Sequence, residues 1–234
     1  MVPLARMAGF DFLVVDMEHG PLGIHDLGAI ASAGLMGGFP VYGRVTGPST
    51  GDIARVLDCG ATGVIVPHVD SVLDARKIVK TCRFSPVGTR ALPGPLPLLG
   101  YRSAQPAELC EAADRAARIV AMIESRSALE EVETIAAVEG LDGLIIGSND
   151  LADSLGRRGQ LDHPDVAAAF RRIAAAAHDN GLDFGAMGLP PALTFSYGVD
   201  LGATLLVVTN DTNLLADGGA AAVAAVHPDA AERA

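Results

Sequence analysis

The chain has 234 residues, half of them apolar, which fits one large domain, 1–234, around a substantial core. Its 17 Lys and Arg against 28 Asp and Glu give a net charge of -11, a field that repels phosphate backbones and argues against a nucleic-acid partner. Apolar stretches are short and broken by Gly, Pro or Asp, below the ~18 residues of a membrane span, and MVPLARMAGFDF lacks a secretory-signal profile, so a soluble cytoplasmic protein with no membrane partner is expected.

The opening LARMAGFDF reads as the end of a helix running straight into a strand, FLVVDMEH (12–19). A preceding strand and most of its helix are therefore expected to be missing. Helical periodicity over 24–34 leads to a second strand, PVYGRV (40–45), and over 49–59 to a third, GVIVPHV (63–69). A helix over 71–81 is followed by the proline- and glycine-rich segment 83–105, long enough to be a functional or covering loop. Helix 106–116 precedes the strand RIVAMIES (118–125), and Ser125 reads as the cap of a helix over 126–139. Then come the strand GLIIGSND (143–150), a helix over 164–180 opened by His-Pro-Asp, and the strand DFGAMG (183–188). Helix 190–198, the strand ATLLVVTND (203–211) and a helix over 211–225 complete the pattern, with 226–234 expected as a frayed tail.

Strands alternating with helices, most of them continuously apolar, predict a parallel sheet covered on both faces. A closed (β/α)8 TIM barrel needs eight strands and seven are found, so the expected fold is such a barrel without its first strand.

In parallel α/β folds, chemistry gathers at the carboxyl ends of strands. The first strand ends in Asp16, Glu18 and His19, the second in Arg44 and the fourth in Glu124. The fifth ends in Asn149 and Asp150, the last in Asn210 and Asp211. Any one acidic residue at such a position is commonly a helix cap. Glu124 and Asp150, from adjacent strands, nevertheless form a candidate hard-cation site; oxygen donors favour Mg2+ or Mn2+, with Co2+ or Zn2+ left open. Most other histidines fall on helices or helix starts; His68, at a strand end, is a candidate pocket residue. Cys59, Cys82 and Cys110 are scattered without a Cys-x-x-Cys pair and read as small buried residues of a reduced protein.

The segment GFDFLVVDMEHGP resembles the signature of the HpcH/HpaI aldolases, metal-dependent pyruvate aldolases of class II. The likeness continues in order through VYGRV, LDCGATGVIVPHV, SPVGTR, MIESRSALE, GLIIGSNDLADSLG, HPDV and LLVVTNDTNLL, over roughly 8–216.

The resemblance implies a barrel of the phosphoenolpyruvate/pyruvate type that cleaves a 4-hydroxy-2-oxo acid reversibly to pyruvate and an aldehyde, in aromatic-compound or sugar-acid catabolism. It implies that Glu124 and Asp150 bind the metal, that His19 is the catalytic histidine and that Arg44 steadies the developing oxyanion. Asp58 matches an acidic partner of the histidine supplied by a neighbouring subunit, and backbone amides near Asn149 and Asp150 would receive the substrate carboxylate. Met122 stands where some members carry a substrate-contacting Gln. A homo-oligomer, a hexamer in the family with swapped C-terminal helices, is likewise implied. Two other readings are a relative using the same metal-enolate core for citrate-type condensation or decarboxylation, and a non-catalytic truncated barrel.

Overall fold

The computed structural model describes residues 1–92 and 94–227. In chain order, α1 (Val2–Met7) leads into β1 (Leu13–Asp16), and α2 (Ile24–Gly37) into β2 (Val41–Arg44). Next are α3 (Asp52–Asp58), β3 (Gly63–Val66) and α4 (Val72–Cys82). A 3-10 turn (Pro97–Leu99) and α5 (Pro106–Ala116) precede β4 (Arg118–Ile123). Two short helices, α6 (Arg126–Glu130) and α7 (Val132–Ala136), lead to β5 (Gly143–Gly147). After α8 (Ser148–Ser154) and α9 (Pro164–Asp179) come β6 (Asp183–Met187) and α10 (Pro191–Tyr197). A second 3-10 turn (Val199–Leu201), β7 (Leu205–Val207) and α11 (Asp211–Val226) close the sequence of elements.

The seven strands form one parallel sheet in sequence order, β1 to β7, in which Asp16 pairs with Arg44 and Arg44 with Ile65. The sheet is curled. Side chains alternate along each strand, and one set (Val15, Val41, Val64, Val66, Ile119, Ala121, Ile123, Leu144, Ile146, Phe184) packs outward against the helices. The opposite set (Tyr42, Ile65, Val120, Met122, Ile145, Leu205, with Phe12, Val14, Met187 and Val207) forms one inner cluster. Its members come from each strand in turn, β1 to β7, and so share one face of the sheet. Arg44 on β2 also comes within 4.0 Å of the Met187 Sδ on β6, four strands away. The result is a nearly closed, barrel-like parallel sheet filled by its own side chains.

The helices owe their places to ordinary patterning. In α9 the buried residues Val166, Ala169, Phe170, Ile173, Ala174 and Ala177 follow the i, i+3, i+4 rhythm of one apolar face. His163 caps this helix through its ring, accepting from the Asp165 N–H at 3.1 Å, with Pro164 in the first turn. Ser125 caps α6 as expected, accepting from the Ala128 N–H.

Three sequence expectations need correction. The helix over 126–139 is two helices broken at Glu131, whose carboxylate accepts the Val72 N–H at the start of α4. The strand over 143–150 ends at Gly147, and Ser148, Asn149 and Asp150 open α8, since Ser, Asn and Asp suit a helix start better than a strand. The runs 12–19 and 203–211 are longer than the strands they contain, so Glu18, His19 and Asn210 lie in turns. Of the tail expected over 226–234, Val226 closes α11, His227 is its cap, and residues 228–234 lie outside the described residues.

The segment 83–105 is anchored by two buried arginines. Arg83 donates to the Gly140 carbonyl at 3.1 and 3.0 Å and pairs with Asp142. Arg90 lies over the Phe84 ring and pairs with Asp58 at 2.6 Å. Among the described residues no helix is long and apolar enough to cross a membrane.

Candidate active site at the strand ends

The two-residue repeat of a strand decides which polar residues meet. Asp16 follows the inward Val14, Arg44 the inward Tyr42 and Glu124 the inward Met122, so all three crown the inner face at its carboxyl end. Arg44 spans the ends of β1 and β2. Its Nε donates to Asp16 Oδ1 at 2.8 Å, its Nη2 pairs with Asp16 Oδ2, and its Nη1 stands 3.2 Å from Glu18 Oε2. The Glu18 and His19 N–H groups also donate to Asp16 Oδ1, at 3.0 and 3.3 Å.

His68, just past β3, extends this network to β4. Its Nε2 is 2.8 Å from Glu18 Oε1, its Nδ1 2.9 Å from Glu124 Oε1, and its main-chain N–H donates to the same Glu124 oxygen at 2.7 Å. Among the described residues no donor reaches Glu124 Oε2. That oxygen has room because residue 147 is glycine: a Cβ there would sit 2.6 Å from it.

Charge follows contact. Burial pushes the Glu124 carboxyl above its ordinary range, the His68 N–H and charge oppose this, and the nearby Asp150 and Glu18 charges add to it. Burial also pushes Asp16 up, but the Arg44 hydrogen bonds and charge, with the N–H groups of Glu18 and His19, outweigh it and hold the carboxyl below the usual range. Burial works against the Arg44 cation, yet Asp16, Glu18 and Glu124 keep its pKa raised.

The fit to a cation rests on Glu124 and Asp150. Asp150, exposed in the first turn of α8, comes from the strand end next to Glu124 and is close enough for its charge to be felt there. Two hard carboxylates with free oxygens suit a divalent cation that takes its remaining ligands from water and substrate. Among the described residues no group of three or more His, Cys, Asp or Glu side chains is disposed to hold a metal ion.

Other sequence-selected residues fall differently. His19 is exposed, 3.9 Å from Glu18 Oε2. Asp58 ends α3 just ahead of β3, at the amino-end pole of the sheet, where it pairs with Arg90; one chain does not bring it to His19. Met122 is fully buried in the inner cluster, one layer beneath Glu124. Asn149 lies against the main chain of Gly188, whose φ of +78° and close approach suit a residue without Cβ. Asn210 is a helix cap, accepting from the Asn213 N–H at 2.8 Å. An open groove of about 760 Å³ between α4 and α7, lined by Val72, Arg76, Glu131 and Val138 among others, lies on the outer helix layer away from these strand ends.

Glu18 and His68 hold the centre of the network, and neither had a defined role from sequence. The available signal was position: Glu18 and His68 each stand two residues past the end of their strand, where polar groups of a parallel sheet gather.

Residues 1–190 match the family described as HpcH/HpaI aldolase/citrate lyase. The 4-hydroxy-4-methyl-2-oxoglutarate aldolase tasA of Hapsidospora irregularis is 39% identical, over 98% of this chain and 87% of that protein. A hydroxypyruvate/pyruvate aldolase of Pseudomonas aeruginosa is 35% identical, over 91% of this chain and 78% of that one. The crystal structure of an HpcH/HpaI aldolase from Desulfitobacterium hafniense superposes with a TM-score of 0.88 at 28% identity, covering 96% of this chain and 86% of that one. With the parallel barrel-like sheet and its carboxylate-lined strand ends, these likenesses make the chain a member of the HpcH/HpaI aldolase/citrate lyase family.

Proposed function

We propose that this protein is a carbon–carbon lyase, a class II aldolase that cleaves a 4-hydroxy-2-oxo acid reversibly to pyruvate and a carbonyl compound. The observation that carries the reading is the joining of Arg44 and Glu124 on one inner rim through Glu18 and His68, with Asp150 beside them. The aldolase relatives support the same activity. We read the seven strands as part of a (β/α)8 barrel of the phosphoenolpyruvate/pyruvate type.

Glu124 and Asp150 would hold a divalent cation, Mg2+ or Mn2+ by donor type. Such a cation, when bound, draws electrons from the carboxylate and keto oxygens of a 2-oxo acid and acidifies the adjacent carbon. Arg44, fixed by two carboxylates, offers its cationic guanidinium to the oxyanion that develops during cleavage. His19, exposed at the rim, takes the proton of the substrate's 4-hydroxyl as the C3–C4 bond breaks and passes a proton to C3, which becomes the methyl group of pyruvate; condensation reverses both transfers. Asp58 of a neighbouring copy supports His19, a role consistent with its distance from His19 within one chain.

That arrangement requires an oligomer. α11 supports one: all of its residues are exposed, including Leu214, Leu215, Val223 and Val226, so the helix buries no side chain against the other described residues. A swap of α11 between copies covers these side chains. The free cysteines Cys59, Cys82 and Cys110 support a reducing compartment such as the cytoplasm.

The reading is tested by supplying 4-hydroxy-4-methyl-2-oxoglutarate and simpler 4-hydroxy-2-oxo acids with Mg2+ or Mn2+, and following pyruvate with a lactate dehydrogenase couple. Pyruvate release that a chelator stops and added metal restores is expected. A folded, metal-supplied protein that releases none from any of them contradicts the activity.

A further inference from the structure

His68 lies just beyond β3 with φ of +57°, a left-handed backbone uncommon for residues other than glycine. The conformation brings two nitrogens to one oxygen: the main-chain N–H donates to Glu124 Oε1 at 2.7 Å, and Nδ1 lies 2.9 Å from it. Its other ring nitrogen is 2.8 Å from Glu18 Oε1, and the second oxygen of Glu18 is 3.2 Å from Arg44 Nη1. The ring itself is 56% exposed while both carboxylates are nearly buried, so it fills no core space. Its contacts are with charged groups, and a packing role does not account for them.

We propose that His68 is the positioning residue of the cation site. It pins Oε1 of Glu124, so that Oε2, in the space left by the missing Cβ of Gly147, is the oxygen presented to the cation. Through Glu18 it also ties the Arg44 fork to the same carboxylate, so cation and oxyanion donor are set against each other by one imidazole. Without the ring, Glu124 keeps one main-chain donor and gains freedom to turn. The inference rests on Glu124 being a ligand.

The test is Mn2+ binding to metal-stripped protein, read by the electron paramagnetic resonance of free Mn2+. His68→Gly keeps the main-chain N–H and adopts the left-handed backbone without strain. His68→Asn, which also tolerates it, is too short to bridge the two carboxylates. Both should bind Mn2+ about 10- to 100-fold more weakly than wild type. The melting temperature of metal-stripped His68→Gly should not fall, which separates positioning from a structural role. The bound-Mn2+ spectrum of wild type should carry no imidazole nitrogen coupling.

Unchanged affinity in folded His68→Gly overturns the proposal. So does imidazole coupling in wild type that disappears in the variant, since His68 would then be a ligand. If wild type and Glu124→Gln both fail to bind Mn2+, the ligand reading of Glu124 falls and takes this inference with it.

Discussion

Arg44 grips Asp16 with two nitrogens, Nε at 2.8 Å and Nη2, while its third, Nη1, faces Glu18 at 3.2 Å. The guanidinium is therefore oriented by protein carboxylates. Lysine cannot reproduce this: its donors share one nitrogen and lack the planar two-nitrogen edge that holds both Asp16 oxygens while a third nitrogen faces Glu18. Arg44→Lys should lower kcat about 100- to 1,000-fold with a folded protein and a smaller change in KM. Equal loss in KM alone, with kcat intact, would show that Arg44 binds substrate without serving the developing charge.

The same pair sets a pH dependence. Asp16 has a folded pKa below its unfolded value near ~3.9, so its stabilisation is present above that value and is lost as pH falls through the lower folded one. Asp16→Asn should cost about 2 kcal/mol at neutral pH, where a hydrogen bond to a charged group is removed. Its stability should converge with that of wild type at a pH below the Asp16 folded value. Denaturant titrations across this range check it; a constant gap would contradict the assignment.

His19 and Asp58 lie at opposite poles of one chain. If they act together across a subunit boundary, His19→Ala and Asp58→Ala should each be inactive as homo-oligomers. Mixing the two, unfolding and refolding together, should restore part of the activity, because some sites then draw an intact histidine and an intact aspartate from different copies. A mixture as inactive as its parents points to a role for Asp58 confined to its pair with Arg90.

The exposed α11 makes a separate prediction. Leu215, 79% exposed, and its neighbour Leu214 should be buried in the assembly. The double variant Leu214→Asp, Leu215→Asp should place charges in that contact and yield a smaller species by size exclusion with light scattering. A mass identical to wild type would leave α11 outside the interface.

The order of elements was readable because continuous apolar runs and capping residues are local features: the Ser125 and His163 caps depend on neighbours within three residues. The strand-end positions of Asp16, Arg44 and Glu124 were readable too, but continuously apolar strands carry no alternation to say which face is inward; that these three share it comes from the structure. The end of β5 was misjudged because Ser148, Asn149 and Asp150 extend an apolar run, though their side chains favour a helix start. The role of His68 was out of reach. It depends on a left-handed φ and on two carboxylates from strands that only the curled sheet brings together, Glu18 and Glu124. The positions of Asn210 and Asp150 illustrate the same limit: both close apolar runs, yet one caps α11 and the other lies in the first turn of α8, near enough to Glu124 for its charge to be felt there.

The central claim is that Glu124 and Asp150 hold a cation that makes the methyl group of pyruvate acidic. Incubation with pyruvate in D2O, followed by proton NMR of the methyl signal, measures that step without any aldehyde. The account predicts exchange that requires Mn2+ or Mg2+, stops with a chelator, and is absent in Glu124→Gln and Asp150→Asn. A folded, Mn2+-saturated wild-type protein that leaves the methyl protons in place would contradict it.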